Sequence, residues 1–339
     1  MAALSRGWEV VGIKKGYGGL FAPDGSGLID MDRDAVRGIT HTGGTILGTS
    51  NRGNPFSWPV ENDDGSWTEL DRSADVTSAF DTAGIDALIA IGGDGSLSIA
   101  HELSMRGLPV VGVPKTIDND VGSTFFTFGF VTACYIATDA IDRLHSTAES
   151  HDRVMIIEVM GRDAGWIAMH SGVAGSADVI LIPEIPFGLD SVVEKICDRE
   201  RHGRHFSIVV VAEGAAPAGE GQRTLEDAGA GREEARLGGV AEWLADRLEA
   251  ETGKECRHLV LGHLQRGGVP AAYDRLLALR FGAAAVRSIE MRAFGTMVAL
   301  QPPRVVAVPL AEAIRQRKLV PLDGDLVQTA RDRGISLGD

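Results

Sequence analysis

Short apolar runs rich in valine and isoleucine recur along the chain, at Val10–Ile13, Ala87–Ile91, Val110–Val113, Val154–Val159, Val179–Ile182, Ile208–Ala212 and Leu259–Leu261. They lack the strict polar alternation of half-exposed strands, so the pattern predicts strands buried on both faces. Between several of them the apolar positions take helical spacing. Val240, Trp243, Leu244, Arg247 and Leu248 are one such series, and Gly253 follows where a helix C-cap belongs. Strand alternating with helix predicts an α/β protein with mainly parallel sheets. Two stretches break the rhythm, Thr49–Asp71 and Ala215–Gly239, and their Gly, Pro, Asn and Glu content predicts surface excursions rather than linkers. No short-period repeat is present, and the spread of strands fits two similar α/β halves.

The residues that follow each run change the picture from fold to chemistry. The runs end in Gly92-Gly93-Asp94-Gly95-Ser96, Pro114-Lys115-Thr116-Ile117-Asp118-Asn119-Asp120, Met160-Gly161-Arg162-Asp163, Glu213-Gly214 and Gly262-His263-Leu264-Gln265-Arg266-Gly267-Gly268. In open parallel sheets the carboxyl ends of the strands face the ligand crevice, so glycines, carboxylates and arginines are expected on one rim. The glycines of 92–96 let backbone N–H groups approach phosphate oxygens, the following helix adds its positive end, and Asp94 can hold Mg²⁺ on those phosphates. A helix cap built from Gly and Asp is the structural alternative. With a phosphate donor there, Asp118 is placed to take the proton of an attacking hydroxyl, and Thr116 and Lys115 to stabilise the transferring group. An Asx-turn with exposed acids is the plainer account of Thr116–Asp120. Arg153, Arg162, Arg257, His263 and Arg266 supply forks and donors for a sugar phosphate, while each taken singly reads as a surface residue. Glu213 either accepts sugar hydroxyls or caps the next helix. Met155, Met160, Met169, Phe125, Phe126, Phe128 and Phe130 read as packing residues.

Composition narrows the partners. Across 339 residues, 33 Lys and Arg face 47 Asp and Glu, a formal charge of −14 that disfavours nucleic acid and membrane surfaces. The three cysteines, Cys134, Cys197 and Cys256, have neither disulfide-like nor zinc-like spacing, which suits inert thiols in a reducing compartment. No apolar run approaches the ~20 residues of a membrane span, and a cytoplasmic location is expected.

In combination, IGGDGS, GVPKTIDND, AESHDRVMIIEVMGRDAGWIA, VVVAEG and VLGHLQRGG-x-P-x-x-YDR, in this order, resemble the 6-phosphofructokinases, especially the bacterial branch that mixes ATP-dependent and pyrophosphate-dependent members. The resemblance implies two Rossmann-like three-layer domains with the site between them. Residues 1–129 and 265–308 would form the phosphoryl-donor domain, and 130–264 and 309–339 the sugar-phosphate domain. It implies that Asp94 binds Mg²⁺, that Gly93, Gly95 and Ser96 line the donor site with Tyr17 and Arg52 near the nucleotide, and that Asp118 is the base on the fructose 1-hydroxyl. Thr116 and Asp120 would surround the transferring group, and Met160, Gly161, Arg162, Glu213, His263 and Arg266 would hold fructose 6-phosphate. Arg153 and Arg257 would reach that sugar phosphate across a subunit boundary, in a homodimer or homotetramer. The family residue at position 95 is glycine in nucleotide users and aspartate in pyrophosphate users, so Gly95 implies ATP, although Lys115 also accompanies pyrophosphate use. Members begin with a strand and a GGDxPGxN turn, whereas this chain opens inside the helix that follows, which is expected to leave two sheet edges open and the donor site weaker. The expected activity is ATP-dependent phosphorylation of fructose 6-phosphate. The alternatives are pyrophosphate as donor, a non-catalytic sugar-phosphate-binding subunit, and a lipid or NAD kinase, families that share the GGDG turn but lack TIDND.

Overall fold

The valine and isoleucine runs form the cores of two separate sheets in the computed structural model, which describes residues 1–22, 24–50, 53–226 and 236–339, the side chains of 225, 226 and 236 excepted. Two antiparallel pairs come first, β1 (Val11–Ile13) with β2 (Leu28–Asp30), and β3 (Trp58–Glu61) with β4 (Trp67–Leu70). Helix α1 (Ser73–Ala83), β5 (Leu88–Gly92), α2 (Asp94–Met105), β6 (Val110–Thr116) and β7 (Phe128–Gly129) lead into the long helix α3 (Phe130–Ser150). Then follow β8 (Val154–Val159), α4 (Trp166–Ala174), β9 (Val179–Leu181), α5 (Leu189–Arg201) and β10 (Ser207–Ala212). A short pair, β11 (Thr224–Glu226) and β12 (Arg236–Leu237), precedes α6 (Val240–Thr252) and β13 (Cys256–Val260). The chain closes with α7 (Ala272–Glu290), β14 (Thr296–Gln301), β15 (Arg304–Pro309), α8 (Leu310–Ala313) and α9 (Asp325–Asp332).

The first sheet has the order β15-β14-β6-β5, with β7 added to β6; β5, β6 and β14 run parallel and β15 antiparallel. The second, β13-β8-β10-β9, is wholly parallel. Every residue of β8 and β10 is buried, because helices cover both faces. Met155, Ile157, Val159, Ile208 and Val210 pack with α3, α4 and α9, while Val154, Ile156, Val209 and Val211 pack with α5 and α6. The same alternation divides β6: Val110 faces the α1 and α2 side, Val111 and Val113 face α7. Both units are therefore three-layered, and each fully buried Val or Ile contributes about 1.5–3 kcal/mol to holding its layer.

Some expectations need correction. β13 begins at Cys256, three residues before the apolar run at Leu259, because it is the outer strand of its sheet and is exposed from Arg257 to Val260. The excursion at 49–71 carries the β3–β4 hairpin, and β14 and β15 add strands that the apolar runs did not single out. Helix α8 packs on α2, β14 and β15. Phe125, read as a packing residue, is 56% exposed. Among the described residues β5 is an outer strand, with Ile91 60% exposed, and β1 pairs only with β2.

Candidate active site

Parallel register brings the strand ends to common levels: Gly92 lies beside Pro114, and Val159 beside Ala212. The first rim element is the turn from β5 into α2. An added Cβ at Gly92 would lie 2.4 Å from the Ser96 hydroxyl, so only glycine lets the helix start this tightly. One at Gly93 would sit 3.4 Å from Thr116 Cβ, which shows how closely the turn packs on the end of β6. Helix α2 begins at Asp94, leaving the N–H groups of its first turn and its positive end at the rim, a favourable place for phosphate. A Cβ at Gly95 would meet open space.

The second element is the loop after β6. The Thr116 hydroxyl accepts from the Asp118 amide at 3.1 Å and donates to the Asp118 carboxylate at 3.3 Å. Asn119 is buried in a left-handed conformation (φ 54°), its amide oxygen accepting from the Thr127 N–H at 3.1 Å, and the Thr127 hydroxyl donates to the Thr116 carbonyl at 2.8 Å. Burial pushes Asp118 up, opposed first by the charge of Arg266 and then by the Thr116 hydrogen bond. Burial lifts Asp120 to about 6, and the carboxylates of Asp118 and Asp94 add to the rise. One Asp120 carboxylate oxygen, Oδ1, is buried without a hydrogen-bond partner. Lys115 is held below the usual lysine range by burial and by Arg266, with Asp118 opposing.

The third element is built by the second sheet. The Gly161 amide donates to the Glu213 carboxylate, and the Gly214 amide donates to the Gly161 carbonyl at 3.1 Å. A Cβ at Gly214 would stand 1.8 Å from the Arg162 carbonyl oxygen, so the ends of β8 and β10 are packed backbone to backbone. The buried Gln265 accepts from the Met160 amide at 3.4 Å, anchoring a 3₁₀ turn, Gly262–Arg266, that leaves His263 and Arg266 exposed. Burial pushes Glu213 up, Asp118 and Glu158 add to that, and Arg162 counters it. The charge of Arg266 acts on Asp118 and Lys115, and that of Asp118 on Glu213, so these strand-end groups lie within electrostatic reach of one another. A glycine-rich turn at a helix N-terminus, a buried carboxylate and nearby arginine, histidine and glutamate are a set that suits transfer of a phosphoryl group to a hydroxyl.

The family model for phosphofructokinase matches residues 1–289. The chain is 50% identical over its whole length to an ATP-dependent 6-phosphofructokinase of Chloroflexus aurantiacus, of which it covers 91%. The chain belongs to the phosphofructokinase family. It is also 49% identical, over 94% of its length and 88% of the relative's, to a pyrophosphate–fructose 6-phosphate 1-phosphotransferase of Amycolatopsis methanolica. Among solved structures, the crystal structure of Pichia pastoris phosphofructokinase in the T-state superposes with a TM-score of 0.76 at 29% identity, over 98% of this chain and 34% of that one.

Not every residue expected at a phosphofructokinase site is gathered with these groups. Arg153 and Arg257 lie at the starts of β8 and β13, about 20 Å of strand from Met160 and His263. There both pair with Glu255, Arg153 at 2.9 Å. Tyr17, on the 3₁₀ turn Gly16–Phe21, packs against the cluster of Val76, Phe80 and Leu97, and burial pushes its phenol up. Arg52 lies outside the described residues. Gln265 and Asp163, whose charge raises Asp118, were not singled out as site residues; both sit inside the quoted motifs. Lys318, bonded to the 119–125 loop from 199 residues away, carries no local signal.

Proposed function

We propose that the chain is an ATP-dependent 6-phosphofructokinase, transferring the γ-phosphoryl group of ATP to the 1-hydroxyl of fructose 6-phosphate to give fructose 1,6-bisphosphate and ADP. The observation that supports this is the electrostatic coupling of three groups: Arg266 acts on Asp118, and Asp94 and Asp118 both act on Asp120. Asp118, buried and proton-seeking, takes the proton of the acceptor hydroxyl; Thr116 and Lys115 face the transferring oxygens. Arg162, His263 and Arg266 hold the sugar phosphate, and Glu213 with the Met160–Gly161 backbone holds its hydroxyls.

The residues present fit Mg²⁺. No cluster of three or more His, Cys, Asp or Glu poised for a metal occurs among the described residues. Mg²⁺ seldom needs one, since it binds through one or two carboxylates together with substrate phosphates and water. Asp94, at the start of α2, and the partnerless oxygen of Asp120, whose rise Asp94 shares in, supply such carboxylates. Bound there, the ion would neutralise charge on the transferring phosphates.

The open space beside Gly95 supports a nucleotide donor. Pyrophosphate is the second reading, favoured by Lys115 and by the named activity of the Amycolatopsis relative. A homo-oligomer with shared sites is supported by the remote position of Arg153 and Arg257 and by the exposed outer strand β13. A cytoplasmic location is part of the proposal; among the described residues no helix is long and apolar enough to cross a membrane. A coupled assay of fructose 6-phosphate with Mg²⁺ and each donor tests the reading. Turnover with ATP is expected, and turnover with pyrophosphate alone would replace the donor.

A further inference from the structure

The segment after α8 returns to the loop that carries Asp118 and is bonded both to it and to the turn that carries Arg162. The Lys318 ammonium donates to the Asn119 amide oxygen at 2.8 Å and to the carbonyls of Thr124 and Phe125, each at 2.9 Å. That uses all three of its hydrogens. Its backbone amide donates to the Asp120 carbonyl at 2.7 Å, and its carbonyl accepts from the Trp166 indole at 2.7 Å. Next to it Arg317 pairs with Asp163, and the Val320 amide donates to Glu184, which also accepts from the Gly165 amide. Residues 317–320 are thus tied on one side to 119–125 and on the other to the turn that carries Arg162.

Asn119 needs such a tie. A non-glycine residue at φ 54° is uncommon and persists where its surroundings hold it, and here its amide oxygen receives both Lys318 and the Thr127 N–H. Asp118 immediately precedes this residue, so the direction of its carboxylate depends on the turn being kept.

We propose that Lys318 is a positioning residue: by gripping the Asn119 amide and the 124–125 carbonyls it keeps the left-handed turn that aims Asp118 at the acceptor hydroxyl. This rests on the reading of Asp118 as the base.

The test compares full-length wild type, Lys318→Met and Asp118→Asn by hydrogen–deuterium exchange over residues 117–127 and by kcat and KM for ATP and fructose 6-phosphate. In Lys318→Met, exchange over 117–127 is expected to quicken and kcat to fall roughly 30- to 100-fold, with both KM values within about threefold of wild type. A purely structural lysine would lower the melting temperature without that split. If Lys318→Met does not fold, Lys318→Gln, which keeps a donor for Asn119, should show the same split with a smaller fall. Unchanged exchange overturns the clamp, and quickened exchange with full kcat overturns the positioning role. Wild-type kcat in Asp118→Asn would instead overturn the reading beneath it.

Discussion

Asp118 and Asp120 differ in what their charges lack. Asp118 has the Thr116 hydroxyl and the charges of Arg266 and Lys115 against its burial, so it can ionise and still seek a proton. Asp118→Asn is expected to lower kcat by several orders of magnitude while fructose 6-phosphate binding, read by calorimetry, is largely kept, because a base acts in the transition state. Asp120 has a buried oxygen with no partner and two neighbouring carboxylates, which lift it to about 6 from an ordinary 3.8. Below the lower value both folded and unfolded chains hold the proton and nothing is lost; between the two the folded chain binds more protons, so stability falls as pH rises, and above about 6 the whole cost is present. Asp120→Asn should therefore raise the melting temperature well above that pH, by about 1–2 kcal/mol or roughly 2–4 °C, and leave it unchanged at acid pH. Thermal melts of both proteins at the two extremes check it. The same substitution should cost activity, since the charge is there for a cation and phosphates.

Among the elements, the ends of β8 and β10 offer the sharpest test. Gly214→Ala would bring a methyl group against the Arg162 carbonyl, where backbone cannot yield cheaply. Arg162 should be displaced and the KM for fructose 6-phosphate raised about tenfold or more, with the KM for ATP little changed, as initial-rate kinetics of the folded variant would show. The strands themselves are readable from the chain: β8 matches its apolar run residue for residue, because burial on both faces makes five of its six positions apolar, Glu158 being the exception. β13 starts ahead of its apolar run because an outer strand tolerates Arg257 and His258, and β3 and β4 carry no apolar run because a small hairpin, half-buried on β3 and exposed on β4, needs none. The glycine-rich turns and TIDND were readable for another reason. Their chemistry is set by residues adjacent in the chain, as in the bonds between Thr116 and Asp118. Gln265 gave less warning, since its role is to hold the Met160 amide, 105 residues away.

At the scale of the whole molecule, groups at the carboxyl ends of the two sheets act on one another, Asp118 on Glu213 among them, while Arg153 and Arg257 lie at the far end of the second sheet. If those arginines complete a neighbour's site, mixing refolded Asp118→Asn with Arg153→Ala should restore activity that neither has alone, because mixed oligomers contain sites with both groups intact. No recovery in the mixture, checked against a remixed wild-type control, would confine each site to one subunit. By itself the sequence determined the α/β alternation, the phosphate turn, the Thr116–Asp120 loop and the family, since burial periodicity and strand-end chemistry are written in neighbouring residues. Only the tertiary structure decided that Asp94 shares its field with Asp120, that the charge of Arg266 reaches Asp118, that the two arginines stand apart, and that Lys318 grips Asn119. These depend on how two sheets and a returning carboxyl-terminal segment pack, and charges and hydrogen bonds act through space between groups that no local pattern relates.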